Sequence, residues 1–155
     1  MPGNINLQRR QWLAGILMLP VAPVWAISKL PLVEVWKDPG CGCCQDWVAQ
    51  IEKAGFEVRV HEAGKPDAQM RLEIPAKFGA CHTASVAGYA LEGHVPAREI
   101  QRLLKEKPKA AGLAVPGMPA GSPGMDGAAY QHRKDPYDVL LIMADSRSTV
   151  YQAYR

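Results

Sequence analysis

The 155-residue chain has no apolar run that reaches the roughly 20 residues a membrane-spanning helix requires. Its longest candidate, residues 12–25, is interrupted by Pro20 and Pro23. No basic stripe or block is present, and the formal net charge is only +3. Nucleic acid and anionic membrane surfaces are therefore not expected partners. There is no internal repeat, and no classical catalytic machinery is evident. Cysteine is scarce as well: four residues, none before position 41.

Residues 1–26 have the layout of an export signal. Arg9-Arg10 precedes the apolar stretch, which ends in Val24-Trp25-Ala26, with small residues where signal peptidase needs them. Gln8-Arg9-Arg10-Gln11-Trp12-Leu13 also resembles a twin-arginine signal, with Gln8 where Ser or Thr is usual, so either export route is open. Cleavage after Ala26 would leave one 129-residue domain, residues 27–155, in the periplasm, free of the membrane and by default a monomer. Its 16 basic and 15 acidic side chains nearly cancel. That length supports a core without help from disulfides. All four cysteines fall in the exported part, where thiols tend to be paired, metal-bound or redox-active.

The periodicity predicts a strand at 32–36, a helix from Cys43 to Ala54 stopped by Gly55, and a half-buried strand carrying Phe56, Val58 and Val60. A weaker helical stretch covers 66–78, broken at Pro75. A strand is expected at 85–91 and a helix at 96–105 whose Ile100, Leu103 and Leu104 face inward. Residues 108–129 hold four prolines and five glycines and read as a long loop without secondary structure. Strands at 138–144 and 149–154 close the chain as a β-hairpin. A βαβ opening with Cys41-Gly42-Cys43-Cys44 at its first turn resembles the thioredoxin-like α/β fold. There a C-x-x-C pair sits on a helix N-terminus, whose free N–H groups and dipole favour thiolate over thiol.

Thiolate both attacks disulfides and binds metal, so the turn suits either task. Cys41 and Cys44 suffice for a dithiol oxidoreductase, and Cys43 is then surplus. Three thiols at one helix end fit convergence on a soft metal better, since a disulfide between the neighbours Cys43 and Cys44 would be strained. Cys81, in "ACHTASV", is expected beside them, with His82 where thioredoxin-like folds carry a proline. His94, in "LEGHVP", offers an imidazole near the same end, while His61 and His132 read as solvated. Met118 and Met125 lie in the long loop, where a thioether suits Cu(I) and suits hard cations poorly; they serve equally well as plugs for a cleft. Met70 and Met143 need no role beyond the core. Thiolate, thioether and imidazole together describe a copper site, although four thiolates would also satisfy zinc.

"DPGCGCCQDW", "GACHTASVAGY", "EGHVP" and "GLAVPGMPAGSPGM" resemble the CopG-type exported proteins of bacterial copper resistance, across residues 32–154. The resemblance implies a thioredoxin-like fold and copper bound through Cys41, Cys43, Cys44, Cys81 and His94, then Met118 and Met125. It also implies a role in copper detoxification that includes interconversion of Cu(I) and Cu(II). Copper ions are the expected partners, with other periplasmic copper-handling proteins to exchange them. The competing reading is a thiol–disulfide oxidoreductase working through Cys41 and Cys44.

Overall fold

The computed structural model describes residues 29–155; the leader reading of residues 1–26 lies outside them. Seven strands form one sheet in the order β2-β1-β3-β4-β5-β6-β7. β1 (Val33–Lys37) leads through the cysteine turn into α1 (Gly42–Lys53), which returns the chain to β2 (Val58–His61), parallel to β1. α2 (Lys65–Arg71) and a single 3-10 turn at Ala76–Phe78 precede β3 (His82–Val86), which runs antiparallel to β1. β4 (Tyr89–Glu92), α3 (Ala97–Glu106) and β5 (Gly112–Ala114) follow, and β6 (Tyr137–Ile142) with β7 (Ser148–Tyr154) forms the terminal antiparallel pair.

Side chains alternate across a sheet, so β4, β5 and β6 feed two cores. Val33, Val35, Leu91, Leu113 and Val139 meet Trp47 and Ile51 of α1 and Ile100 and Leu103 of α3 on one face. Ala90, Ala114 and Ile142 meet Ile74 and Phe78 on the other. Burying each Leu, Ile or Phe contributes about 1.5–3 kcal/mol, and the larger cluster lies beneath α1, whose first turn carries the cysteines.

Five expectations need correction. The strand at 85–91 is a hairpin: Ala87 and Gly88 both have positive φ, 47° and 86°, as a two-residue turn between right-twisted strands requires. Alanine in place of the usual Asn hid that turn. The stretch 108–129 is not without secondary structure, because Gly112–Ala114 runs as an interior strand. Gly112 permits this: a Cβ there would run into the Ala90 backbone. Phe56 precedes β2, and Val60 is exposed because β2 is an edge strand with little to cover it. His61 is not merely solvated; its ring stacks on Trp36 with centroids 5.0 Å apart. Met70 is 72% exposed on α2 and is no core residue, while Met143 follows the end of β6.

Candidate metal and thiol centre

Four loops meet at one end of the sheet. In the first, Asp38-Pro39-Gly40 bends the chain so that the Asp38 carbonyl accepts a hydrogen bond from the Cys41 N–H at 3.1 Å. Cys41 then caps α1, and Cys43 and Cys44 lie in its first turn, where unpaired N–H groups and the dipole favour negative charge. Cys41 and Cys44 are joined by a disulfide, whereas Cys43 and Cys81 are free thiols. The Cys43 thiol lies 3.6 Å from the Cys41 sulfur. All four sulfurs fall within 4.8 Å of one another, so the long-range convergence of Cys81 on the turn is real.

Cys81 is held from behind. Buried Glu92 accepts hydrogen bonds from the Ala80 N–H at 2.7 Å, the Gln69 amide at 2.8 Å and the Thr83 hydroxyl at 2.6 Å. Ala80 and Thr83 fix the segment on both sides of Cys81, and Gln69 ties α2 to the same carboxylate. Burial nonetheless raises the pKa of Glu92. The chain then turns at Gly93, where a Cβ would come within 2.5 Å of the Val115 carbonyl oxygen and 2.6 Å of the Ala80 Cβ. Only glycine brings the next residue, His94, this close.

His94 donates from Nδ1 to the Pro123 carbonyl at 2.6 Å, and its Nε2 lies 2.8 Å from the Cys81 sulfur. That bond sets the tautomer and leaves Nε2 as the lone-pair nitrogen. Burial lowers the pKa of His94 and pushes the Cys81 thiol up to about 12, with the Cys43 thiol adding to the latter. The pair is therefore a neutral S–H···N hydrogen bond, and its proton is what a thiophilic cation would displace.

The sequence marks His82 only as a replacement for proline. It is buried between Trp47 and His94, with ring centroids 4.3 and 5.2 Å away. Its Nδ1 is 3.5 Å from the Cys81 sulfur, and its Nε2 has no partner among the described residues. Burial drives its pKa down to about 3. Cys81, His82 and His94 thus present a second donor group that shares Cys81 with the four sulfurs. The signal available in the sequence was the direct adjacency of His82 to Cys81.

The loop after β5 covers this end. Gly124 has φ +83°, and a Cβ there would lie 2.5 Å from the Cys43 carbonyl oxygen and 2.8 Å from the Trp47 nitrogen, so loop backbone rests directly on α1. Gln50 donates to Asp126 at 3.0 Å and secures the loop's far side. Met125 is 9% exposed and Met118 52%. The two line one cavity of about 220 Å³ together with Tyr130 and Arg133. That cavity adjoins the sulfurs, since Tyr130 in its wall lies beside the Cys43 thiol. Desolvation, with the Cys43 thiol beside it, raises the pKa of Tyr130.

The chemistry of these donors fits a soft metal: thiols and neutral imidazoles, with carboxylates held away in other roles. A sulfur-lined helix terminus on a mixed sheet defines a class of metal- or disulfide-handling proteins. Within it, the chain belongs to the family of the copper resistance protein CopG. It is similar to one solved form of CopG at 38% identity, over 81% of this chain and 99% of that one, with a TM-score of 0.74. A second form matches at 40% identity, over 81% and 98%, also with a TM-score of 0.74. Residues 78–125 match a family described as a protein of unknown function, DUF411. No curated protein matches the chain.

Proposed function

We propose that this protein binds copper in copper resistance, holding Cu(I) through Cys41, Cys43, Cys44 and Cys81 with His94 as the imidazole ligand, in a multinuclear thiolate site. The convergence of four sulfurs within 4.8 Å at a helix N-terminus carries the reading, and kinship to CopG favours copper over zinc. The order β2-β1-β3-β4, with β1 and β2 parallel and β3 and β4 antiparallel to their neighbours, supports a thioredoxin-like core beneath it. Full use of the four sulfurs requires the Cys41–Cys44 disulfide to open, so copper loading is coupled to thiol redox state. Bound copper, as the cargo, would also pass between Cu(I) and Cu(II), with an external one-electron acceptor taking the electron on oxidation and an external donor returning it on reduction.

Export belongs to the same proposal, and N-terminal sequencing of protein recovered from the periplasm tests it, with Ile27 as the expected first residue. The main test is metal content and free-thiol count on one sample from copper-fed cells. Several coppers per chain with no disulfide is the expected result. A metal-free protein that retains the disulfide sinks the copper reading.

One observation favours a second reading: the Cys41–Cys44 disulfide itself. In a thiol–disulfide oxidoreductase, Cys43→Ser would leave disulfide exchange intact. In a copper protein the same change weakens metal retention.

A further inference from the structure

Lys37 is a lysine with 1% of its side chain exposed, and such residues are rarely buried unless paired. It ends β1 in the run Val33-Glu34-Val35-Trp36-Lys37, where strand alternation commits it to the same face as Val33 and Val35. Its ammonium donates to the Asp38 carbonyl at 3.1 Å. Its other partner, the Glu62 carboxylate, is 3.4 Å away and more than half exposed, a loose counter-charge. The Asp38 oxygen that takes the ammonium also takes the Cys41 N–H. One carbonyl therefore joins a buried cation to the amide of the cysteine that opens α1. Across the sheet Lys37 pairs in register with His82, the neighbour of Cys81.

A lysine that merely filled the core could be replaced by any chain of similar length. The shared carbonyl says more. We propose that Lys37 is the positioning residue of the cysteine turn, holding the bend from Asp38 to Cys41 and supplying a fixed positive charge that favours the opened Cys41/Cys44 pair over its disulfide. In that opening a dithiol reductant gives two electrons to the S–S bond. The bond breaks, the reductant closes to its own disulfide, and the two cysteines become thiols or thiolates as the reductant's protons are shared with solvent. The disulfide is neutral and the thiolates are not, so a cation with few other partners stabilises the product side. The inference rests on the copper reading in one respect: opening the pair is what makes two further sulfurs available to metal.

The test uses the metal-free mature chain equilibrated with reduced and oxidised dithiothreitol, reading the opened pair by the mass added on alkylation. Lys37→Gln keeps a donor for the Asp38 carbonyl and removes the charge, whereas Lys37→Arg keeps the charge. Lys37→Gln should lower the equilibrium constant for opening about tenfold, equivalent to about 30 mV for this two-electron couple, while Lys37→Arg stays within about twofold of the parent. A folded Lys37→Gln with the parent's constant overturns the proposal, and so does an equal tenfold fall in both variants. If Lys37→Gln does not fold, Glu62→Gln decides: it should shift the constant towards opening, and an unchanged constant overturns the proposal. Copper uptake by the reduced parent is measured separately. Uptake with no effect of Lys37 removes this inference alone, and an effect of Lys37 without uptake removes the copper reading alone.

Discussion

Glu99 and Glu92 are both buried carboxylates, and their surroundings show how differently the closing hairpin and the cysteine centre are built. At the C-terminal hairpin, Glu99 receives the Tyr154 hydroxyl and the Arg98 guanidinium, each at 2.9 Å. Tyr137 and Tyr154 stack 4.7 Å apart, and Arg102 lies over the Tyr151 ring. Charge there is met by charge, and β7 is clamped to α3. At the cysteine centre, Glu92 is met by three neutral donors, the His82 Nε2 has no partner among the described residues, and two thiols stay free beside a disulfide. A buried donor or acceptor without a partner costs about 1–3 kcal/mol. Such a group belongs to the cysteine centre, whereas Glu99 at the hairpin is met by partners on both β7 and α3.

That contrast can be broken at several points. The largest effect is expected from Cys81→Ser, which removes the sulfur common to both donor groups. Copper retained after desalting should fall by at least half, while thermal unfolding of the metal-free protein stays near that of the parent. Unchanged retention would take Cys81 out of the site. Gly124→Ala comes next. Its Cβ would strike the Cys43 carbonyl and the α1 backbone at a positive φ, so a loss of roughly 2–3 kcal/mol in chemical denaturation is expected, together with faster alkylation of Cys43. Stability equal to the parent would mean the loop does not rest on α1.

The third is a pH effect on the metal-free protein. The pKa of His82 lies far below the ordinary value of 6.5, at about 3, and His94 is also lowered, both chiefly through burial. Between pH 6.5 and 3 the unfolded chain therefore binds more protons than the folded one. The stability from neutral His82 is complete above pH 6.5 and is lost as pH falls towards 3. Glu92 is raised from 4.5 and works in the opposite sense, contributing stability at low pH that is lost as pH rises through its folded value. Replacing His82 by Phe leaves Glu92 and His94 in place. The acid limb of the stability curve should then flatten by up to about 1.4 kcal/mol per pH unit; parallel curves would show that His82 is not the group being protonated. The smallest effect is expected at the hairpin, where Glu99→Gln keeps an acceptor for Tyr154 but loses the charge. A cost of about 1–2 kcal/mol with no change in copper retention would sharpen the contrast, and a loss of copper would abolish it.

Much of this arrangement was legible in local pattern. The cysteine turn on a helix N-terminus follows from Asp38-Pro39-Gly40 and the spacing of Trp47, Val48 and Ile51, because turn chemistry and helical periodicity are properties of neighbouring residues. The Ala87-Gly88 hairpin was hidden because alanine at positive φ is rare enough to carry no signal. β5 was hidden for a related reason: a three-residue strand rich in small residues inside a proline–glycine stretch is stabilised by β4 and β6 on either side, not by itself. Lys37 was readable in retrospect, since alternation through Val33 and Val35 points it inward, but a charged residue at a strand end reads by default as solvated.

The sequence by itself determined the chemical inventory and its family: four cysteines and a histidine in motifs that resemble those of CopG-type proteins, a βαβ opening and a closing hairpin. Tertiary structure decided which of these groups meet. Cys81 and His94 reach the turn only because β3 and β4 fold back beside β1 and Gly93 lets two backbones nearly touch. The Cys41–Cys44 pairing, the burial of Met125 beside an exposed Met118, and a His82 Nε2 with no partner among the described residues were likewise settled by packing. Sequence patterns report periodicity along one chain, whereas a site is made of distances between segments dozens of residues apart, and those distances exist only once the core has closed.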